Sequence, residues 1–387
     1  MEEEKNLSRR GFLAGSAVLG AGALAAGLVG CNTAGSGGAP GGASGGSSTG
    51  AAPARVIGVE EHYYPEFFYK EPGSPGFETM QAANRAMPGI TELIGDLGDG
   101  RIARMDAAGV DVQVLSLGGS SIDDLPVAQA TSIVRECNDV LADAISKNPT
   151  RLKGFVAIPA AGPDAAVAEI ERCMKLDGFV GISVLSHISG GFLDQEKFTP
   201  ILETAEKLET PIYIHPTYSI PAVKDIYYNV GNPVATAQFS QASWGWHIET
   251  AIHVLRLAFS GTFDRFPKLQ IAVGHLGEGL PFFLNRLGTT TYAMVEAGTI
   301  PLQRKIPEYL RENVSYSIGA FNWKPPFDLL VEIMGVDRVL FSSDYPFSPG
   351  TGSDAMKVAM DFLMAAGLSD EDRNKVAYLN TEKLFKL

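Results

Sequence analysis

The chain has 387 residues, of which 45% are hydrophobic, and its formal net charge is −13 at pH 7. This length and apolar content can bury one large core, so a single domain of about 250 residues with insertions accounts for the chain. The negative charge argues against nucleic acid or an anionic membrane surface as partner, because both reward clustered lysine and arginine. Three cysteines are too few for a disulfide framework.

The N-terminal residues have the pattern of an export signal. Residues 8–13, SRRGFL, form a twin-arginine motif, and an uncharged run rich in Ala, Gly, Leu and Val follows from Ala14 to Gly30. The run is too short and too rich in glycine and alanine to favour a permanent membrane span. It ends in residues 28–31, LVGC, which resemble a lipobox. We therefore expect residues 1–31 to be a twin-arginine signal peptide with a lipobox; cleavage without lipidation is the alternative.

Residues 32–54 are dominated by Gly, Ser and Ala and lack the apolar surface needed to fold. We expect them to be a disordered tether between a lipid on Cys31 and one folded domain at residues 55–387. The protein would then lie outside the cytoplasm, and the lipid anchor would be its only attachment to a membrane.

Eight apolar segments rich in β-branched residues predict strands from Val56 onward. The predicted strands are Val56–His62, Gly109–Ser116, Lys153–Pro159, Gly178–Val184, Pro211–His215, Leu269–Gly274, Asn313–Ile318 and Arg338–Ser343.

Between the strands, apolar residues recur at three- and four-residue spacing, which is typical of amphipathic helices. The clearest helical patterns are Leu125–Lys147, Asp164–Leu176, Gln195–Leu208 and Ile248–Ser260. Eight repeats of strand and helix with continuously apolar strands predict a closed parallel (β/α)8 barrel. A doubly wound sheet is the alternative, but no glycine-rich phosphate turn follows the first strand. Insertions follow strands 1 and 5, at residues 63–100 and 217–243.

Acidic residues and histidines end four of the predicted strands. Glu60 and His62 end the first, and alternation along a strand points them to one face, with the intervening Glu61 on the other. His215 ends the fifth strand, His275 follows the sixth and Asp344 follows the eighth. A barrel brings the carboxyl ends of its strands to one mouth, and imidazole and carboxylate ligands together suit Zn²⁺ or Mn²⁺.

Four short motifs contain these residues: Glu60-Glu61-His62, Ile214-His215-Pro216, Gly274-His275-Leu276-Gly277-Glu278 and Ser342-Ser343-Asp344-Tyr345-Pro346-Phe347. In these motifs, and over roughly residues 55–387, the sequence resembles the amidohydrolase superfamily. The resemblance is to the amidohydrolase-related branch that includes γ-resorcylate, 5-carboxyvanillate and aminocarboxymuconate semialdehyde decarboxylases. It implies an α/β fold, a TIM-like (β/α)8 barrel of the metal-dependent hydrolase type.

The resemblance also implies one divalent metal ion, zinc or manganese, with the ligands Glu60, His62, His215 and Asp344. A mononuclear centre agrees with the sequence, since the fourth predicted strand does not end in the bridging modified lysine that dinuclear relatives need. Glu60 stands where the plainest superfamily pattern has the first histidine of His-x-His. This difference favours decarboxylation over hydrolysis.

The resemblance implies that His275 is a catalytic group beside the metal. Asp344 and His275 are the expected catalytic residues, because both can lie within reach of a metal-bound group and either could deliver a proton. Arg286 resembles the family's substrate-binding arginine, and its planar fork suits an anionic oxygen; bridging between barrel helices is the alternative. Glu278 could orient the His275 imidazole, or it could be a solvated glutamate at a helix start. His247 lies on a helical pattern and is expected to pack or to face solvent.

The function expected from the resemblance is metal-dependent, non-oxidative decarboxylation of an aromatic or unsaturated carboxylic acid. Two alternatives stay open: a hydrolase of the same superfamily that cleaves a lactone, ester or amide, and a lipoprotein that binds a small solute without turnover. The expected partner is a small-molecule carboxylic acid, and a homodimer or homotetramer is the expected assembly.

Overall fold

The structure is a computed structural model that describes residues 50–71, 73, 75–87, 89–118, 120–347 and 354–387. The expected signal peptide, the lipobox and residues 32–49 of the expected tether lie outside these residues. Near the end of the tether, Arg373 donates to the carbonyl of Ala51, and the Ala54 amide donates to Asn374. No helix within the described ranges has the length and apolar character needed to span a membrane.

The strands form a parallel barrel, as the sequence predicts. Each strand pairs in parallel with the next along the chain, from the first to the eighth. The amide of Val59 in the first strand donates to the carbonyl of Phe341, just after the eighth, at 3.1 Å. The strands are β1 Ile57–His62, β2 Val112–Ser116, β3 Leu152–Ala157, β4 Phe179–Leu185, β5 Ile212–His215, β6 Ile271–Val273, β7 Val314–Ser317 and β8 Val339–Leu340.

Helices connect the strands and cover the outside of the barrel. They are α1 Pro75–Ala86, α2 Ile90–Gly95, α3 Asp99–Ala108, α4 Val127–Lys147, α5 Pro163–Cys173, α6 Thr199–Lys207, α7 Pro221–Val223, α8 Pro233–Ser240, α9 Gly245–Phe259, α10 Thr262–Arg265, α11 Leu280–Glu296, α12 Ile306–Glu312, α13 Lys324–Met334, α14 Ala355–Ala365, α15 Asp370–Asn374 and α16 Asn380–Phe385. Helices α1 and α2 occupy the insertion after β1, and α7 and α8 occupy the insertion after β5.

Apolar side chains fill the barrel interior. The Phe155 ring stacks on Tyr213 with centroids 5.4 Å apart and meets Phe385 of α16 at 5.2 Å. A Cβ at Gly181 would lie 2.7 Å from the Phe155 ring, so only glycine leaves room for this packing. Phe385 closes the end of the barrel where the strands begin, and a cavity of about 610 Å³ opens there. The polar residues that end the strands lie at the opposite end.

The first strand contains a β-bulge. Gly58 pairs with Gln113 and Glu61 pairs with Leu115, so β1 advances three residues where β2 advances two. Ile57 and Val59 pack in the barrel interior, and the bulge turns Glu60 inward as well. As the alternation predicts, Glu61 points the other way, where its carboxylate accepts from Gln113.

The eighth strand is shorter than the predicted Arg338–Ser343, because regular pairing ends at Leu340 and beyond it the backbone of β1 donates only to the carbonyls of Phe341 and Tyr345 within the described residues. The Phe341 amide donates to the carbonyl of Val376 rather than to a strand. Asp344 then takes a left-handed backbone conformation, with φ of 55°. The segment after β8 is held instead by Glu61, whose carboxylate accepts from the amide and hydroxyl of Ser343 at 2.9 and 2.6 Å.

Candidate active site

Glu60 is a fully buried carboxylate at the mouth of the barrel. Its Oε2 accepts from the Ser317 hydroxyl at 2.7 Å, while its Oε1 has no hydrogen-bond partner. This Oε1 lies 3.9 Å from His215 Nε2 and 3.8 Å from His275 Nδ1. Gly274 is required beside it, because a Cβ there would collide with the carboxylate. The site therefore holds a buried carboxyl oxygen that faces two imidazoles.

Two histidines and Asp344 form a second part of the site, with ligand atoms that all lie within 4.8 Å of one another. His62 Nδ1 is hydrogen-bonded to the Ser116 hydroxyl at 2.9 Å, and its Nε2 lies 2.9 Å from Asp344 Oδ1. His215 Nδ1 donates to the carbonyl of Pro216 at 2.8 Å, which leaves the Nε2 lone pair facing the site. Partners of this kind fix the ring orientation and tautomer of metal-binding histidines.

Burial sets the protonation of this cluster. It lowers the pKa of His62 to about 4 and the pKa of His215 to about 4. Burial raises the pKa of the Asp344 carboxyl. Both imidazoles are thus neutral near pH 7, which is the form that binds metal ions.

These residues fit a divalent cation. Two neutral imidazoles and two carboxylates are a donor set that Zn²⁺ and Mn²⁺ accept. The unpartnered Oε1 of Glu60 supports this fit, because a buried carboxylate oxygen without a donor is costly unless a cation satisfies it. Glu60, His62, His215 and Asp344 would hold the ion.

A strained turn after β6 carries His275. His275, Leu276 and Glu278 all have left-handed backbone conformations, with φ of 50°, 54° and 57°. Such conformations are uncommon for residues other than glycine and often occur at functional sites. The turn directs His275 Nε2 toward Asp344, with 3.9 Å between Nε2 and Oδ2.

Glu278 is fully buried between two imidazoles. His275 Nδ1 donates to Glu278 Oε1 at 2.7 Å, and His247 Nδ1 donates to Oε2 at 2.6 Å. Burial opposes charge on His275, but the carboxylates of Glu278, Glu60 and Asp344 outweigh it and raise the His275 pKa to about 10. Burial likewise opposes charge on Glu278, and His275 and His247 outweigh it and lower the Glu278 pKa to about 2. Glu278 and His275 therefore form a buried ion pair.

The structure thus brings five of the expected residues together. The residues that meet at the mouth are Glu60, His62, His215, His275 and Asp344. Glu278 contacts His275, as expected if it orients that imidazole. Arg286 lies on α11 with an exposed side chain. Its guanidinium has no hydrogen bond or ion pair to the described part of the chain, and its binding role stays a prediction.

Other side chains at the site were not identified from the sequence. Ser116 and Ser317 end β2 and β7, and their position as polar residues at strand ends is a signal that could have found them. His247 was expected to pack or to face solvent, and this interpretation was incomplete, because the ring binds Glu278. Helical periodicity describes only the side of the helix on which His247 lies, so it carries no information about that partner.

Comparison with known proteins agrees with this geometry. The amidohydrolase family model matches residues 83–387. γ-Resorcylate decarboxylase from Polaromonas sp. is 33% identical over 339 residues, which cover 86% of this chain and 98% of that protein. The structure of a 5-carboxyvanillate decarboxylase from Novosphingobium aromaticivorans, complexed with manganese and 4-hydroxy-3-methoxy-5-nitrobenzoic acid, has a TM-score of 0.77 and 32% identity, covering 88% of this chain and 98% of that one.

A third relative is a dihydroxybenzoic acid decarboxylase from Polaromonas sp., whose structure contains manganese and the inhibitor 2-nitroresorcinol. It has a TM-score of 0.75 and 30% identity, covering 86% of this chain and 97% of that one. The family resemblance of the motifs at the strand ends is therefore confirmed, and the similarity extends over most of the chain. The protein belongs to the amidohydrolase family, in the branch that contains the γ-resorcylate and 5-carboxyvanillate decarboxylases.

Proposed function

We propose that the protein removes CO₂ from an aromatic carboxylic acid that carries a hydroxyl group beside its carboxylate. The decarboxylase relatives, at 33% and 32% identity, assign the protein to the metal-dependent carbon–carbon lyases. Within the structure, the observation that carries the proposal is the 3.9 Å approach of His275 Nε2 to Asp344 Oδ2, beside His62 and His215. This approach supports acid–base chemistry next to a metal ion.

The ligands of the solved relatives support the position of the hydroxyl group. In 4-hydroxy-3-methoxy-5-nitrobenzoic acid and in 2-nitroresorcinol, a nitro group stands beside a phenolic hydroxyl. A nitro group has the shape of a carboxylate, so both ligands imitate an ortho-hydroxy aromatic acid. We propose that the substrate of this protein has the same arrangement.

The reaction breaks the bond between the ring carbon and CO₂ and forms a bond from that carbon to hydrogen, so one proton is consumed for each CO₂ released. A divalent ion held by Glu60, His62, His215 and Asp344 would supply Lewis acidity to the oxygens of the substrate. Asp344 and His275 approach one another at 3.9 Å beside the proposed metal ligands, and either can deliver the proton. Glu278 orients His275 through Nδ1, so that Nε2 faces the reacting side of the site.

The metal is proposed to be one ion of Mn²⁺ or Zn²⁺ per chain. Manganese in two solved relatives supports Mn²⁺, and the two imidazoles of His62 and His215 suit Zn²⁺ equally well. Purified protein loaded with each metal in turn, and assayed for CO₂ release, would identify the ion that supports turnover.

Arg286 is proposed to bind an anionic oxygen of the substrate, and its exposed guanidinium on α11, without an ion pair among the described residues, supports this role. Arg286→Ala should then raise KM more than it lowers kcat. An unchanged KM would favour a purely surface role.

The test of the function is a panel of hydroxybenzoates and lactones given to the metal-loaded protein. CO₂ release with formation of the corresponding phenol supports the proposal. Opening of a lactone without CO₂ release would favour the hydrolase alternative, and tight binding of an acid without turnover would favour a solute-binding protein.

We also propose export by the twin-arginine route and anchoring by a lipid on Cys31, which would make the protein an extracytoplasmic lipoprotein. The motif at residues 8–13 and the lipobox-like residues 28–31 support this location. In the native host, Cys31→Ser should abolish lipidation and release the protein from the membrane fraction. Wild-type protein without lipid on its N-terminal peptide would contradict the proposal.

Exposed apolar side chains support a homodimer or homotetramer. Ile226 and Tyr227, in the insertion after β5, are 76% and 71% exposed, and Phe282 on α11 is 74% exposed. Surfaces of this kind often form contacts between subunits. Analytical ultracentrifugation of the wild type and of Phe282→Arg would test the assembly.

A further inference from the structure

His247 connects the buried Glu278 to the loop that precedes α9. It lies in the first turn of α9, and its side chain is 13% exposed. Its Nδ1 lies 2.6 Å from Glu278 Oε2, and its Nε2 lies 2.9 Å from the carbonyl oxygen of Ala242. Both partners are oxygens that accept hydrogen bonds.

The bond to His247 occupies the second oxygen of a carboxylate whose first oxygen holds His275. Glu278 is 1% exposed, so water cannot replace a lost donor at Oε2 without a cost. The rings of His247 and His275 lie with centroids 4.8 Å apart, and the ring of Phe321 packs against both, at 5.0 and 5.4 Å. The carboxylate is therefore held by two imidazoles, one at each oxygen.

We propose that His247 is a positioning residue for the decarboxylation, which is itself the proposed function. By binding Oε2, His247 prevents the Glu278 carboxylate from rotating. Oε1 then stays on His275 Nδ1, and His275 Nε2 stays directed at Asp344 and the reacting carbon. His247 is hydrogen-bonded to Glu278 and packs on His275, and neither contact is to a proposed metal ligand, so its loss should lower kcat and leave KM nearly unchanged.

A purely structural role for His247 predicts a different result. The bond from Nε2 to Ala242 ties the start of α9 to the preceding loop, and this bond alone could explain the residue. Two amide variants separate the roles, because the Asn amide nitrogen takes the place of Nδ1 and the Gln amide nitrogen takes the place of Nε2. His247→Asn keeps a donor for Glu278, whereas His247→Gln keeps a donor for Ala242.

The kinetic experiment compares these two variants with His247→Leu in the metal-loaded protein. We expect Leu and Gln to lower kcat by about 10- to 100-fold, the usual effect of removing a group that orients a residue at a metal site. We expect Asn to recover most of that loss, and KM to change by less than about threefold throughout. Recovery by Gln but not by Asn, or three variants with wild-type kcat, would overturn the proposal.

The control is His253, a buried histidine on the same helix that is bonded to Ser186 and Leu193 rather than to the site. His253→Gln should lower the thermal midpoint without lowering kcat at temperatures where the variant is folded. An equal loss of kcat in this control would show that any disturbance of α9 slows the enzyme, and it would overturn a specific role for His247.

A spectroscopic measurement decides the geometry independently of turnover. The proton on His275 Nδ1, in a short bond to Glu278, should give a downfield ¹H resonance that disappears in His275→Asn. We expect this resonance in the wild type and in His247→Asn. In His247→Gln and His247→Leu we expect it to disappear or to change its chemical shift. An unchanged resonance in all variants would overturn the positioning role. If the wild type decarboxylates no acid in the panel, the proposed function fails, and this measurement still decides whether His247 positions His275.

Discussion

Asp344 combines a backbone role and a chemical role. Its φ of 55° is a conformation that Asp and Asn adopt more readily than most residues, and its carboxylate lies 2.9 Å from His62 and 3.9 Å from His275. Asp344→Asn should therefore keep the fold but nearly abolish turnover, because the amide cannot carry the proton or match the charge at the metal. A loss of about 10²–10⁴ in kcat is expected. Circular dichroism would verify folding, and near wild-type activity would contradict the proposed chemistry.

His275 should be equally important for turnover but not for metal retention. Its Nδ1 is occupied by Glu278, and its Nε2 is directed to Asp344, so it lies beside the ligand cluster rather than within it. We expect His275→Asn to lower kcat by about 10²–10⁴ and to keep about one equivalent of metal. Glu60→Gln is the matched variant, for which we expect weaker metal binding. Metal analysis after dialysis would compare the two variants. Loss of metal from His275→Asn but not from Glu60→Gln would indicate that His275, rather than Glu60, is the metal ligand.

At the scale of elements, the segment after β8 depends on a residue from β1. Glu61 accepts from the Ser343 amide, the Ser343 hydroxyl and the Tyr345 amide, and these two residues flank Asp344. Glu61→Ala leaves these buried donors without an acceptor, which should lower the free energy of unfolding by about 1–3 kcal/mol. It should also lower activity, because Asp344 loses its support.

Urea denaturation would measure this effect. Glu66 provides the control, since it lies five residues later and its exposed carboxylate pairs with Lys70. Glu66→Ala should leave stability and activity unchanged. If Glu61→Ala behaved like this control, the segment after β8 would hold Asp344 without help from the Glu61 side chain.

The elements also show which features of the site the sequence can predict. Apolar runs that end in His or Asp identified the strands and the mouth of the barrel. The strands of a parallel barrel are buried and therefore apolar, and their carboxyl ends meet at one mouth. The bulge in β1 follows from pairing with β2, and the short β8 follows from contacts with Val376 and Glu61. These contacts join residues far apart in the chain, and local periodicity carries no information about them. The link from His247 to Glu278 was missed for the same reason.

At the scale of the whole molecule, the proposed metal ligands come from distant parts of the chain, including the first strand of the barrel and the segment after the last. His62 and Asp344 are 282 residues apart in the chain, and His215 comes from the middle of it. The unfolded chain does not bring these ligands together, so metal binding should favour the folded state. At a free metal concentration 100 times Kd, the gain is about 2.7 kcal/mol.

Removal of the metal with a chelator should therefore lower the thermal midpoint by several degrees, and one equivalent of Mn²⁺ or Zn²⁺ should restore it. His247, His275 and Glu278 form a second group of close ligand atoms, but they are hydrogen-bonded to one another, so we expect no second equivalent to bind tightly. Scanning calorimetry during a metal titration would measure both effects. In Glu60→Gln the metal should raise the thermal midpoint by less than it does in the wild type. A full shift that requires two equivalents would contradict the mononuclear centre and would place the second ion at His247, His275 and Glu278.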